Sequence, residues 1–317
     1  MKRRTFISGV AATSACPGGA LGEAMRKPVI GCLFHFSPEP TLTQFRAALE
    51  RLGYRVGKTI DLDLRFANGS DARLAEFAVD LVARRVAVIV TFTTPPSIAA
   101  KLATKTIPIV ALAADPVGSG LIANPTRPSD NVTGVSLAVR HVSGKLLGLL
   151  QEATPSARRI GLLVNVSDPF SDQLIEGVKQ FNLSLKLELR VFWISTSNEL
   201  ESFFEQMTVD KIDAAIIQPT LPRARTIALA MRHRLPTGQP WSGYATDGGL
   251  LSYAPRPDDV IAEAAAQVDQ ILKGVRIADI PMRQPSKFEM GLNLKTANAL
   301  GLTIPPMLLA QADEIIE

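Results

Sequence analysis

The chain has 317 residues, 46% of them hydrophobic and 20% charged, with a formal charge of +4. That length holds two ordinary domains, and the composition excludes a disordered or fibrous chain. Lys and Arg are scattered rather than clustered, which excludes nucleic acid as a partner, and neither His35, His141 and His233 nor Cys16 and Cys32 show metal-ligand spacing, so no metal and no cofactor are expected.

The start, Met1-Lys2-Arg3-Arg4-Thr5-Phe6-Ile7, followed by small residues, reads as an export signal over residues 1–26. Arg3-Arg4-x-Phe-Ile has the form of a twin-arginine core. Thr13-Ser14-Ala15-Cys16 is a poor lipoprotein box, so a periplasmic protein without a lipid anchor at Cys16 is expected. Residues 27–34 then read as a buried strand, in which Cys32 is a small core residue, and residues 41–52 as a helix stopped by Gly53. Alternation over 59–66 predicts a strand, and the Leu74, Phe77, Leu81 and Val82 face predicts a helix over 72–84. A buried strand over 86–92, a short helix over 97–104 and a strand over 107–113 complete the first half. Strand and helix alternate, so consecutive strands should be parallel.

The second half repeats the scheme. Strands are expected at 160–164, 185–193, 214–218 and 250–253, and helices at 142–153, 171–181, 197–207 and 224–233. A strong amphipathic helix over 258–273 ends at Gly274. A strand over 288–294, a helix over 296–300 and a last helix over 307–316 follow. The repetition reaches individual residues. Val29-Ile30-Gly31-Cys32-Leu33 is echoed by Arg159-Ile160-Gly161-Leu162-Leu163, Ala87-Val88-Ile89-Val90 by Ala214-Ala215-Ile216-Ile217, and Asp115-Pro-Val-Gly by Asp247-Gly-Gly. Each unit is a buried strand ending in a polar, Pro-rich loop, and open parallel sheets bind ligands beyond the carboxyl ends of their strands. The fold class expected is α/β: two Rossmann-like lobes with parallel sheets and a cleft between them. The first lobe is placed at 27–136 plus 253–280 and the second at 137–252 plus 281–317. Three crossings form the hinge, with Thr133, Ser136 and Tyr253 as hinge residues.

Several stretches together carry a resemblance: Pro28-Val29-Ile30-Gly31, Thr106-Ile107-Pro108-Ile109-Val110, Asn131-Val132-Thr133-Gly134-Val135-Ser136, Gly248-Gly249-Leu250-Leu251-Ser252-Tyr253, Gln284-Pro285-Ser286-Lys287-Phe288-Glu289 and Asn293-Leu294-Lys295-Thr296-Ala297. With them the chain resembles the substrate-binding proteins of ABC transporters, in the group with tryptophan- and phenylalanine-binding members. The resemblance implies the type I periplasmic-binding fold and a monomer that traps a small-molecule ligand between its lobes and delivers it to ABC permease and ATPase subunits. With the loop chemistry it points to an amino acid or related carboxylate, perhaps an aromatic one. Two departures stand out. Asn165-Val166-Ser167-Asp168-Pro169 replaces the family's Asn-Pro-x-x-Pro. Gly238 and Pro240, in Leu235-Pro-Thr-Gly-Gln-Pro-Trp241, argue against a regular central strand there.

The first-lobe ligand candidates are His35, Phe36 and Ser37, Thr93 and Thr94, and Asp115. The second-lobe candidates are Asn165 and Asp168, Gln218 and Thr220, and Trp241, Tyr244 and Asp247. Hydroxyls and backbone N–H groups at helix starts suit a carboxylate. Asp115, Asp168 or Asp247 would accept from an ammonium, and Phe36, Trp241 and Tyr244 would cover an apolar side chain. Structural readings stand beside these: helix caps for Ser37, Thr93 and Asp168, turns for Asp115 and Asp247, core packing for Phe36 and Trp241. Enzyme chemistry has little support. There is no Gly-x-Ser-x-Gly elbow, phosphate loop or dinucleotide fingerprint, and Asp115 facing Asp168 as acid and base is no better indicated than binding. A module feeding a sensor is the other binding alternative, and a DNA-binding regulator would need a helical head that residues 1–27 are too short to supply.

Overall fold

The computed structural model describes residues 27–35, 39–128, 130–168 and 170–317. The export signal, Cys16, Phe36 and Ser37 lie outside these residues. Among the described residues no helix is long and apolar enough to cross a membrane.

The first lobe runs β1 (Val29–Phe34), α1 (Thr41–Arg51), β2 (Asp61–Phe66), α2 (Asp71–Ala83), β3 (Val88–Thr91), α3 (Thr94–Ala103), β4 (Ile109–Ala113) and β5 (Val132–Ser136). Its five strands form a wholly parallel sheet in the order β2-β1-β3-β4-β5. Apolar runs are continuous because both faces are covered. Ile30, Cys32 and Phe34 meet α1 on one face, and Leu33 and Ile89 meet α2 on the other. Burial pushes the Cys32 thiol well above its ordinary range.

The second lobe continues with α4 (Val139–Ala153), β6 (Arg159–Asn165), α5 (Ser171–Leu185), β7 (Glu188–Ile194), α6 (Leu200–Val209), β8 (Ala214–Ile217), α7 (Arg223–Arg232), β9 (Thr237–Gln239) and β10 (Leu251–Pro255). α8 (Pro257–Leu272) returns to the first lobe, where Val260, Ile261, Ala264, Ala265 and Val268 join the core beside α1, against β3, β4 and β5. The chain then re-enters the second lobe as β11 (Phe288–Asn293), α9 (Leu294–Leu300), α10 (Pro306–Gln311) and β12 (Glu314–Ile316). The seven-stranded second sheet has the order β12-β11-β10-β9-β8-β6-β7. The internal repeat is therefore topological: β2-β1-β3-β4 matches β7-β6-β8-β9, with Gly31 and Gly161 third in the equivalent strands β1 and β6.

Four expectations are corrected. β5 is a strand where only a junction was expected, and its backbone bonds the lobe's last edge. Residues 237–239 do form a central strand, β9. It is only three residues long, because Pro240 ends it, and its Gly238 faces α4, where a Cβ would lie 3.1 Å from Leu146 Cδ1. β11 runs antiparallel to β10, since it arrives from the other lobe. The final segment is not one helix: α10 stops at Gln311 and β12 pairs with β11.

The connections between the lobes are bonded tightly. Thr133 Oγ1 donates to Ile280 O at 2.7 Å, Gln267 Nε2 to Gly134 O at 3.0 Å, and Arg283 N to Gly134 O at 2.9 Å. Ser136 Oγ accepts from Ala138 N at 3.3 Å, at the turn into α4. Gly134 has φ +143°, and a Cβ there would fall 1.9 Å from Ala111 O, so no other residue fits. Tyr253 stacks on Phe288 with ring centroids 5.7 Å apart, and Phe288 in turn meets His141. β10 lies in the second sheet through Pro255, so this crossing falls at residue 256.

Candidate functional site

Parallel pairing puts the carboxyl ends of β1, β3 and β4 on one rim and those of β6, β8 and β9 on another. The chain leaves the first rim at β5 to enter the second lobe, so the rims face each other. Contacts span the gap. Arg140 Nε, in the first turn of α4, lies 3.1 Å from Asp115 Oδ2. A Cβ on Gly118 would lie 3.3 Å from Gln173 Nε2 of α5, so the loop after β4 abuts that helix. His35, at the end of β1, acts electrostatically on Asp168, in the loop after β6.

Asp168 is the centre of the second rim. Its Oδ1 accepts from Phe170 N at 3.0 Å, closing a local turn into α5. Burial raises its pKa by penalising the charged form. Phe170 N–H, the Thr220 side chain, the His35 ring and the Gln218 side chain all favour the anion without cancelling that penalty. Thr220 Oγ1 and Gln218 Nε2 are buried beside it, yet neither closes a hydrogen bond of ordinary geometry. Gln218 is fully buried at the end of β8. Its Oε1 accepts from Asn165 N at 2.6 Å and Ser171 Oγ at 2.9 Å, which ties the loop after β8 to the loop between β6 and α5. Asn165 Oδ1 itself accepts from Ser167 N.

On the first rim, His35 Nε2 stands 3.2 Å from Asp71 Oδ1 at the start of α2. Thr93 precedes α3 but its hydroxyl does not cap the helix. Thr93 Oγ1 is buried without a hydrogen bond, as is Ser119 Oγ in the loop after β4. Thr94 is structural: its Oγ1 accepts from Ala114 N at 3.1 Å. The expectation that the helix start supplies backbone donors needs correction for α3. Pro95 and Pro96 occupy its first turn and have no N–H, so hydroxyls are the donors this rim offers.

Three further candidates sit differently from expectation. Tyr244 is fully buried and does not line the cleft. Its hydroxyl pairs with Thr237 Oγ1 at 2.7 Å, and burial raises its pKa far above the ordinary phenol value. Asp115 is committed twice, to Gly118 N at 2.9 Å and to Arg140. Asp247 pairs with Arg223 Nε at 2.8 Å on a half-exposed surface, beside the exposed Trp241. One residue escaped the sequence reading. Gln239, fully buried, ends β9 one residue past Gly238, which pairs with Ile216 of β8, and its Nε2 donates to Gln218 O at 3.3 Å. The signal was a polar residue between a strand and Pro240, obscured by the argument that no strand was there. Among the described residues no cluster of His, Cys, Asp or Glu is placed to hold a metal.

The family described as ABC transporter substrate binding protein matches residues 29–316. A tyrosine-binding protein of Clostridioides difficile (strain R20291) is 27% identical over 277 residues, which are 84% of this chain and 78% of that protein. The crystal structure of an ABC domain in complex with L-Trp from Streptococcus pneumonia is 26% identical, with a TM-score of 0.84 over 92% of this chain and 100% of that one. A ligand-free, open substrate-binding protein with adhesive properties from Clostridium difficile is 25% identical over 92% of this chain and 99% of its own, with a TM-score of 0.70. The architecture, two α/β lobes with mostly parallel sheets, is that of type I periplasmic-binding proteins.

Proposed function

This chain belongs to the ABC transporter substrate-binding protein family, and from that premise we propose that it is an extracytoplasmic receptor for an amino acid, serving an ABC importer as a monomer. Members of the family and the similar structures are binding proteins rather than enzymes, which sets the catalytic reading aside. The observation that carries the proposal is Asp168: a half-buried carboxylate, raised in pKa by burial, faces His35 across the cleft and is ringed by polar groups. Such a group is held ready for a cation. The hydroxyls of Thr93 and Ser119 stand on the other rim to receive a carboxylate. The exposed Trp241 at the second rim suits an apolar or aromatic side chain. The relatives' tyrosine and L-Trp are of this kind.

Closure follows from differential binding. The second rim alone holds a ligand in the open form, whereas hydroxyls of the first rim are added only when the lobes meet, so the ligand favours the closed state. The closed form is what permease and ATPase subunits would recognise. Thermal-shift measurements of the mature protein against the amino acids and small carboxylates test the proposal. A ligand at ~100 times its dissociation constant adds about 2.7 kcal/mol of stability. If no amino acid raises the melting temperature, the proposal fails.

A further inference from the structure

The helices α4 and α5 lie side by side in the second lobe with their backbones in contact. A Cβ on Gly177 would fall 2.2 Å from Arg140 O, and one on Gly144 would fall 2.9 Å from Gly177 O, so both positions need glycine at this approach. Between the helices runs an open groove of about 540 Å³. Arg140 and His141 form one end, Gly144 and Gly177 the floor, and Phe181 and Leu183 the other end. Phe181 and Leu183 are both exposed. Aromatic and aliphatic side chains beside an arginine, open to solvent, have the composition of a contact surface.

The basic end is tied to the first lobe. Arg140 Nε lies 3.1 Å from Asp115 Oδ2, and the His141 ring meets Phe288, which stacks on Tyr253 where the chain crosses between lobes. Among the described residues Nε is the only atom of the Arg140 guanidinium in a hydrogen bond or ion pair, so its two NH2 groups are open to a second carboxylate. Withdrawal of Asp115 as the lobes part would release the guanidinium. The groove therefore presents a fixed cationic fork only when the lobes are together.

We propose that this groove is the docking surface for the membrane permease, and that it takes an extracytoplasmic loop in which a carboxylate lies beside an apolar side chain. The carboxylate pairs with Arg140, and the apolar side chain packs on Phe181 and Leu183. Charge complementarity selects an acidic loop, and the tie to Asp115 improves the fit in the closed form, so docking and ligand binding favour the same state. The proposal rests on the importer reading above and goes further, by naming the surface and the chemistry of the partner that reads closure.

Uptake of radiolabelled L-tyrosine and L-tryptophan by spheroplasts of the native host, deleted for this receptor and supplied with the purified mature protein, tests it, with calorimetry on the same ligands alongside. Wild-type protein should bind at least one of them and restore its uptake. Leu183→Glu places a carboxylate where the loop's apolar side chain packs, and uptake should fall about tenfold or more with ligand affinity and melting temperature unchanged. Leu183 is 78% exposed, so the variant folds, and Leu102→Glu, at an equally exposed leucine on α3 of the first lobe, should leave uptake at the wild-type level. Arg140→Gln and Asp115→Asn both break the lobe bridge, but only the first removes the fork, so it should lose more uptake. Wild-type uptake with Leu183→Glu, or equal losses with Arg140→Gln and Asp115→Asn, overturns the assignment. Protein that binds an amino acid yet restores no uptake also overturns it, while the amino-acid receptor reading survives. Protein that binds no amino acid sinks both.

Discussion

Arg140, in the first turn of the second lobe, holds its Nε 3.1 Å from Asp115 Oδ2 of the first lobe, and Asp115 Oδ1 simultaneously accepts from Gly118 N. One carboxylate thus shapes a loop and bridges two lobes. Arg140 is about half-exposed, so the ion pair is worth less than about 1 kcal/mol. Asp115→Asn keeps an acceptor for the turn and weakens the bridge. Ligand release should become a few-fold faster, as followed by stopped-flow fluorescence, and the difference from wild type should vanish in high salt. Equal release rates at low salt would remove the bridge from any part in closure.

Asp168 sets ligand affinity against stability. Its folded pKa is raised, so the native state holds this proton more tightly than the unfolded chain, and its contribution to stability falls as pH rises through the interval between the two pKa values. Asp168→Asn should therefore raise the melting temperature of the ligand-free protein at neutral pH. It should leave that temperature unchanged at acid pH, where the wild-type carboxyl is already protonated. The same variant should lose affinity for amine-bearing ligands. A neutral-pH melting temperature at or below wild type would refute the stability half of this prediction.

Gly134 is reserved for glycine by both its φ of +143° and the closeness of Ala111 O. Gly134→Ala should lower stability by at least about 3 kcal/mol in denaturant titrations, since the strain and the backbone clash add at a position bonded to Arg283 and Gln267. A loss under about 1 kcal/mol would mean that the backbone there yields far more easily than its bonding suggests.

Tyr244 and Thr237 form a buried hydroxyl pair inside the second lobe. Tyr244→Phe or Thr237→Val alone should cost about 1–3 kcal/mol, each leaving one hydroxyl unpaired, whereas the double variant should cost less than the two together. Neither should alter ligand affinity. An affinity change on Tyr244→Phe with unchanged stability would return Tyr244 to the cleft wall.

The alternation of buried runs with amphipathic segments made most of the fold legible, because a strand covered on both faces has to be apolar throughout and a helix on a sheet has to be apolar on one side. Where the reading failed, a local rule was overridden. Pro95 and Pro96 delayed the expected start of α3 to Ser97, although the first turn is where proline costs a helix nothing. Gly238 and Pro240 argued against β9, yet the glycine sits where α4 packs close on the strand and the proline only terminates it. The loop ends marked the rims of the cleft correctly as places, but not the fate of each side chain. Asp115, Asp168 and Asp247 read alike in sequence. Only their neighbours, Arg140, Gln218 with Thr220, and Arg223, separate a bridge from a rim acceptor and a surface pair.

The position of α8 has a consequence for how the chain comes to be folded. The helix is encoded after most of the second lobe, yet Val260, Ile261, Ala264, Ala265 and Val268 fill the space beneath β3, β4 and β5. During synthesis the earlier lobe must therefore wait, one apolar flank of its sheet uncovered, while the later lobe emerges. A nascent chain ending before residue 257 would be a natural client for a chaperone, because the half made first stays open until most of the other half has been made.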